Sequence, residues 1–303
     1  MTETAFAAFV MILAGVVARR AGLLSRDDGH VLVNIVIYVA MPPLIFLILI
    51  RADLDRALIL VPVAGYLIHF VLLGFAYAST RAWGMERPRA GAVMVATAVG
   101  NTGFFGIPLI AASGDGFSLA AAVMYDALAT GIITWTSTVM VSTAFGGSEP
   151  HLELRDLGRA LLLPPNIALA AGLGLNLAGV RDLPALVERP LELLGAAVLP
   201  LVMIYAGLLV EFRGLHRVLG EIGYITVVRL GLAALVGLGV AMALGLEGDT
   251  LNTVVIMAAM PTAMMSLVIG TNYGLRSDII AGAVVVTTVL ATLTLPLIRA
   301  LLL

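Results

Sequence analysis

Gly100-Asn101-Thr102-Gly103-Phe104-Phe105-Gly106-Ile107-Pro108 lies in the middle of an apolar stretch that runs from about residue 90 to 112. Three glycines and a proline weaken a helix, because glycine loses backbone entropy on ordering and proline removes a hydrogen-bond donor. The surrounding composition puts this weak point inside a bilayer. Of the 303 residues, 61% are hydrophobic and only 12% are charged, against about 45–50% apolar and about 25% charged in soluble domains. At ~20 residues per spanning helix the chain accommodates roughly ten spans and no extramembrane catalytic domain. The bilayer core holds no water to repair broken backbone, so a weak helix there survives only against protein or a wet cavity. The absence of cysteine removes disulfides, thiolate metal sites and cysteine nucleophiles. A net charge of -2 offers no electrostatic footprint for nucleic acid.

Working outward, apolar stretches bounded by charges or Gly/Pro clusters fall at about 4–18, 31–50, 57–80, 90–112 and 117–145. A second set falls at about 159–179, 190–210, 218–246, 252–273 and 279–302. The first has no basic residue before it, which a secretory signal needs, so it reads as a retained span. The expected organisation is a first five-helix repeat over 1–145, a cytoplasmic connecting loop over 146–158, and a second repeat over 159–303. The halves register at an offset near 157: Ala14-Gly15 recurs as Ala171-Gly172, Ala21-Gly22 as Ala178-Gly179, Pro43 as Pro200, and Gly65-Tyr66 as Gly223-Tyr224 with one residue of slip. Pro108 and Pro261 stand 153 apart in the fourth and ninth stretches. Five spans per half invert the second half relative to the first, the design of many secondary transporters. The fold class expected is therefore an all-α polytopic membrane protein of ten transmembrane helices, arranged as two inverted repeats with broken helices 4 and 9.

The ninth stretch carries its own break at Met260-Pro261-Thr262-Ala263. Two broken helices running in opposite directions point half-helix N-termini, each worth about half a positive charge, at a common spot. That spot suits an anion, with the positive ends placed at Pro108 and Pro261. The plainer alternative is that both prolines only kink ordinary spans. Asp126, the tenth residue of the fifth stretch, falls near the bilayer centre, where a carboxylate by default marks an ion or substrate path. Thr130, Thr134 and Ser137 follow it at helical spacing. The competing account of Asp126 is an internal ion pair with Arg229 of the eighth stretch. Asn34 and Tyr38 stand one turn apart before Pro42-Pro43 and present an amide and a hydroxyl either to a ligand or to another helix. His69 is a lone histidine, a proton carrier or a packing residue. Thr262 and Ser266 either touch substrate or repair carbonyls freed by Pro261.

Several of these runs together resemble the auxin efflux carrier family in its bacterial form. They are Asn34 to Leu49 with its double proline, Gly100 to Leu109, Tyr125-Asp126, Leu163-Pro164-Pro165-Asn166, Leu199-Pro200-Leu201 and Ala259-Met260-Pro261-Thr262. The resemblance covers essentially the whole chain. It implies a ten-helix inverted-repeat carrier with a scaffold part and a transport part, whose crossing helices hold a small carboxylate such as malonate or malate. Plant members carry Asn-Pro-Asn at both crossings; here Ile107 and Met260 precede the prolines, and the second crossing has no counterpart of Asn101.

The resulting expectation is a secondary transporter of a small organic anion in the cytoplasmic (inner) membrane, working by alternating access and driven by a gradient. Substrate contacts are expected from Asn101, Thr102, Gly103, Pro108, Pro261, Thr262, Ser266 and Asn34, with coupling or gating at Asp126 and Thr130. No catalytic residue, metal or cofactor is expected. The expected partners are the organic anion, H⁺ or Na⁺ as candidate coupling ions, the lipid bilayer, and a second copy as a candidate homodimer. The alternatives are a passive anion channel and an intramembrane aspartyl protease built on Asp126 and Asp115.

Arginines set the orientation. Loops after the odd-numbered stretches hold 11, and the opposite face holds only Arg51, Arg56, Arg181, Arg189 and Arg299. Both termini are therefore expected outside the cytoplasm, and Ser148→Cys should resist a membrane-impermeant thiol reagent in intact cells. Labelling of Ser148→Cys from outside would invert the topology.

Overall fold

The computed structural model describes residues 2–25, 27–114, 116–147, 162–210 and 215–303. Most of the expected connector (148–158), the start of the sixth expected span (159–161) and Asp115 lie outside them. The described residues contain no strand. In chain order the helices are α1 (Thr2–Arg20), α2 (Asp28–Ile50), α3 (Arg56–Ala82), α4 (Arg87–Ala98), α5 (Thr102–Ala112), α6 (Leu119–Phe145), α7 (Pro164–Leu177), α8 (Ala185–Leu209), α9 (Leu219–Ala243), α10 (Gly248–Ala258), α11 (Met264–Asn272) and α12 (Ser277–Leu302).

Seven of these, α1, α2, α3, α6, α8, α9 and α12, are long and apolar enough to cross a membrane by length and composition. The others are short for local reasons. Interruptions divide α4 from α5 and α10 from α11, leaving 12 residues in α4 and 11 in α10. The described part of α7 is 14 residues and opens on Pro164-Pro165, where a missing N–H costs nothing because first-turn donors have no intrahelical partner. In α2, by contrast, Pro42 and Pro43 stand inside the helix, and a wider π turn over Val36–Ala40 precedes them. Such a turn absorbs the hydrogen bonds that prolines cannot make.

The chain divides into two compact units that each draw on both halves of the sequence. One comprises Met1–Ala5, Arg56–Leu152 and Glu211–Leu303, with α3–α6 and α9–α12. The other comprises Phe6–Asp55 and Glu153–Val210, with most of α1 and with α2, α7 and α8.

The smaller unit is built on close backbone approach, the means by which helices associate where lipid offers no hydrophobic drive. A Cβ on Gly15 of α1 would stand 2.2 Å from the Ile204 carbonyl oxygen of α8, and a Cβ on Gly207 would stand 2.1 Å from that of Ile12. Likewise, a Cβ on Gly172 of α7 would meet the Phe46 carbonyl oxygen of α2 at 3.0 Å and Leu49 Cβ at 3.1 Å. Polar contacts follow the same rule. Arg19 Nη1 donates to the carbonyls of Leu208 (2.8 Å) and Val210 (3.1 Å), which end α8. Asn176 Nδ2 donates to those of Leu49 (2.9 Å), Ile50 (3.0 Å) and Ala52 (2.7 Å), which end α2. Gly15 with Gly172, Arg19 with Asn176, and Ile50 with Leu208 all sit at the offset near 157 read from the sequence.

The larger unit has α12 as its most buried long helix. It holds both interrupted helices.

The Gly207 contact leaves no room for a methyl group. Gly207→Ala should destabilise the folded chain by about 1–3 kcal/mol through overpacking, whereas Gly74→Ala on α3, with nothing within 4 Å of the added Cβ, should leave the melting temperature unchanged or raised. Equal melting of the two variants would refute the close α1–α8 approach.

Candidate functional site

The larger unit's two interruptions face each other. After α4 the chain extends at Val99 (φ -113°, ψ 119°) and re-enters a helix at Thr102. After α10 it stays irregular until Met264. Gly100 and Thr262 form an antiparallel bridge, flanked by Asn101 N–H to the Pro261 carbonyl (2.7 Å) and Ala263 N–H to the Val99 carbonyl (3.0 Å). This pairing satisfies backbone groups that hydrocarbon cannot. It asks for a donor at residues 101 and 263 and an acceptor at 99 and 261, so the N–H that Pro261 lacks is one the bridge does not use. A Cβ on Gly100 would lie 2.8 Å from Arg229 Nη2, so a side chain there would displace the guanidinium.

The bridge corrects one element of the sequence reading. In the bridge Val99 faces Ala263 and Asn101 faces Pro261, so Pro261 belongs to the paired stretch and Pro108 does not. Pro108 lies buried within α5, which starts upstream at Thr102. The positive helix end expected at Pro108 is therefore at Thr102. The reason is that proline is tolerated in early helical turns, whereas glycine and a paired extended backbone are what the interruption itself needs.

The C-terminal ends of α4 and α10 converge on one cation. Arg229 occupies a π turn in α9, Val228–Leu232, and is 2% exposed. Its Nε donates to the Met260 carbonyl (2.8 Å), Nη1 to that of Thr97 (3.1 Å) and Nη2 to that of Ala258. Those carbonyls carry the unsatisfied acceptors and the negative dipole ends of two helices, each about half a charge, so a single guanidinium offsets both. His69 of α3 adds a contact from Nδ1 to the Ala98 carbonyl (3.2 Å), and its Nε2 lies 2.8 Å from Ser137 Oγ. A carbonyl only accepts, so Nδ1 carries a proton.

The N-terminal end of α5 is arranged differently. Asn101 holds its N-cap position with no capping bond from its side chain, is 3% exposed, and its Nδ2 has no hydrogen-bond partner among the described residues. Thr102 Oγ1 donates to Asp126 Oδ1 at 2.6 Å. A Cβ on Gly103 would stand 2.9 and 3.0 Å from the two Asp126 carboxylate oxygens, so a side chain there would push the carboxylate away from the first turn of α5. Asp126 itself opens a π turn in α6, Asp126–Thr130. Among the described residues it forms no ion pair with Arg229, whose donors go to carbonyls instead. The paired-charge account of Asp126 is thus replaced by two separate contacts. A cavity between these elements is lined by Gly65, His69, Gly100, Thr102, Thr130 and Arg229.

The remaining expected residues divide. Thr262 is fully buried, with its hydroxyl on the Ala96 carbonyl (2.9 Å) and its N–H on Thr287 Oγ1 (3.0 Å), so it repairs backbone. Ser266 is buried with no partner for its hydroxyl among the described residues. Thr134 donates to the Thr130 carbonyl (2.7 Å) within α6, and Ser137 serves His69. Asn34 and Tyr38 are exposed on α2, in the other unit. The clamp by Arg229 was not legible in the sequence. Its charge in an apolar stretch was visible, but backbone carbonyls leave no residue signature.

Comparison with known proteins agrees along the whole chain. A family profile described as "Membrane transport protein" matches residues 1–299. An "Uncharacterized transporter" of Methanothermobacter thermautotrophicus is 31% identical over 298 residues, covering 98% of this chain and 96% of the relative. Another "Uncharacterized transporter", from Methanocaldococcus jannaschii, is 26% identical over 295 residues, or 95% of this chain and 94% of that protein. A Rhizobium meliloti protein named "Putative malonate transporter" is 26% identical over 268 residues, or 86% of this chain and 82% of its own length.

The Arg229 clamp has a measurable cost of removal. Arg229→Met strands three buried carbonyls, each losing a charge-assisted bond worth about 1.5–3 kcal/mol, and should lower melting temperature and expression sharply. Arg229→Lys should recover little, because a point charge cannot span three acceptors as a planar fork does. Adding Asp126→Asn to Arg229→Met should give no rescue. A double variant more stable than Arg229→Met alone would restore the ion pair.

Proposed function

The chain belongs to the membrane transport protein family, that of the auxin efflux carriers, and from that premise we propose that it is a secondary carrier of a small organic anion. The observation that carries the reading is the pairing of two interrupted helices beside a buried, unpartnered Asn101 amide. Helix N-termini and an amide donor attract a carboxylate without a fixed cation, which allows release as well as binding. The name of the Rhizobium meliloti relative supports malonate as the first substrate to try.

In this reading α4 with α5 and α10 with α11 each make one broken traversal and α7 a short one, giving ten with the seven long helices. The reciprocal contacts of α1 with α8 and of α7 with α2, and the reciprocal hydrogen bonds of the Gly100–Thr262 bridge, support two inverted repeats. Each repeat then lends two helices to the smaller unit, the scaffold part, and three traversals to the larger, the transport part. Asn101 supplies the principal hydrogen bond to substrate, Thr102 and Gly103 the positive helix end, and Ser266 a hydroxyl from the second half. Thr262 and Pro261 shape the bridge, and Pro108 stiffens α5 behind it. Asp126, with Thr130 near it, couples transport to protons. The carrier works by alternating access in the cytoplasmic membrane with both termini on the outer side.

A thermal-shift screen of purified protein against mono- and dicarboxylates, with and without sodium, tests the proposal, because a ligand of the folded state raises apparent stability by mass action. Malonate should stabilise the wild type. Asn101→Ala should melt like the wild type without ligand but bind malonate about 5- to 150-fold more weakly, the equivalent of about 1–3 kcal/mol for one lost partner. Unchanged malonate affinity in folded Asn101→Ala would reduce Asn101 to a packing residue. In proteoliposomes, labelled substrate should show saturable counterflow; flux without saturation would make the protein a channel.

A further inference from the structure

We infer that the Asp126 carboxylate is a built-in competitor for the substrate anion, holding the N-terminal end of α5 until a proton discharges it, so that proton and carboxylate bind together. This rests on the carrier reading above and specifies how its coupling is made.

The first N–H groups of a helix have no intrahelical acceptor and carry its positive dipole end, which makes that end a site for one anion. At α5 a carboxylate already stands beside the first turn. Asp126 Oδ1 takes the Thr102 hydroxyl at 2.6 Å, and both carboxylate oxygens lie against Gly103. The second feature at the same end is the Asn101 Nδ2, buried and unpartnered among the described residues although its residue holds the N-cap position. A buried amide donor left open beside an occupied helix end is what a site shared between two acceptors requires.

The neighbouring charges leave Asp126 to this role. On its own helix the adjacent titratable group is Tyr125. Tyr66 and His69 belong to α3, and His69 has both ring nitrogens engaged, on Ala98 and Ser137. Arg229 of α9 has its donors on Thr97, Ala258 and Met260. The stretch Thr102–Ala112 contributes no ionisable side chain. Among the described residues no cation therefore has a free donor to balance Asp126 and a substrate carboxylate at once. Two carboxylates sharing one site do not both remain ionised. When Asp126 takes a proton it gives up its charge and gains an O–H donor, and the helix end with its Asn101 amide becomes available to the incoming anion. By linkage each ligand then raises the affinity of the other by the same factor.

The test is calorimetric titration of the purified full-length chain with malonate, over pH values at which malonate stays fully ionised, in two buffers of different ionisation enthalpy. The wild type should take up about one proton per malonate bound, with affinity falling about tenfold per pH unit as the pH rises past the Asp126 transition. Asp126→Asn, with its melting temperature checked, should bind malonate without proton uptake, with pH-independent affinity at least equal to the wild type's best. Wild-type binding with no proton uptake would overturn the competition while leaving the carrier reading standing, and this measurement needs no variant to fold. Folded Asp126→Asn that binds malonate more weakly than the wild type at every pH would also overturn it, since the carboxylate would then assist the anion. No heat from malonate, malate or acetate at any pH would instead bring down the carboxylate-carrier reading on which the inference rests.

Discussion

A backbone carbonyl released inside packed helices has no water to bind, and the larger unit is organised around that constraint. Interrupting α4–α5 and α10–α11 frees acceptors and donors among buried residues, where each unsatisfied group costs several kcal/mol. The two extended stretches answer for each other through the Gly100–Thr262 bridge. Arg229, His69 and the Thr262 hydroxyl take carbonyls of Ala96, Thr97, Ala98, Ala258 and Met260. With those acceptors taken, a side chain at Gly100 would displace the guanidinium, and Pro261 can be proline because the bridge uses only its carbonyl.

This accounting also separates charge. The cation is spent on the C-terminal ends of α4 and α10, where helix dipoles are negative. The N-terminal end of α5 keeps its positive potential and meets a carboxylate, Asp126, and an open amide, Asn101. An ion pair between Asp126 and Arg229 would have cancelled both charges and left two broken helices with unanswered ends. Keeping them apart uses each charge where the backbone needs the opposite sign.

The smaller unit solves a different problem, how helices stay together in lipid. Its answer is shape: Gly15 against Ile204 and Gly207, and Gly172 against Phe46 and Leu49. The donors that fix helix ends are a different residue in each half, Arg19 in one and Asn176 in the other, yet they do the same work on the carbonyls that end α8 and α2. The two sites share a geometry rather than a side chain, because the requirement is a donor reaching stranded carbonyls and either group supplies it.

The sequence by itself determined the membrane class, the course of the apolar helices and the presence of two weak points, because hydropathy and helix-breaking residues act locally. The stretch read as 31–50 is the helix Asp28–Ile50, and that read as 279–302 is Ser277–Leu302. Asp126 and Asn101 stood out for the same reason: a polar group in an apolar run is expensive wherever it ends up. Only the tertiary structure decided what those groups touch. It confined the break read over Gly100–Pro108 to residues 99–101, moved the helix end expected at Pro108 to Thr102, gave Asp126 to Thr102, and gave Arg229 to three carbonyls from two segments far apart in the chain. The partners of a buried charge are set by which backbone acceptors the fold strands nearby, and every residue carries the same carbonyl, so no pattern of side chains records the choice.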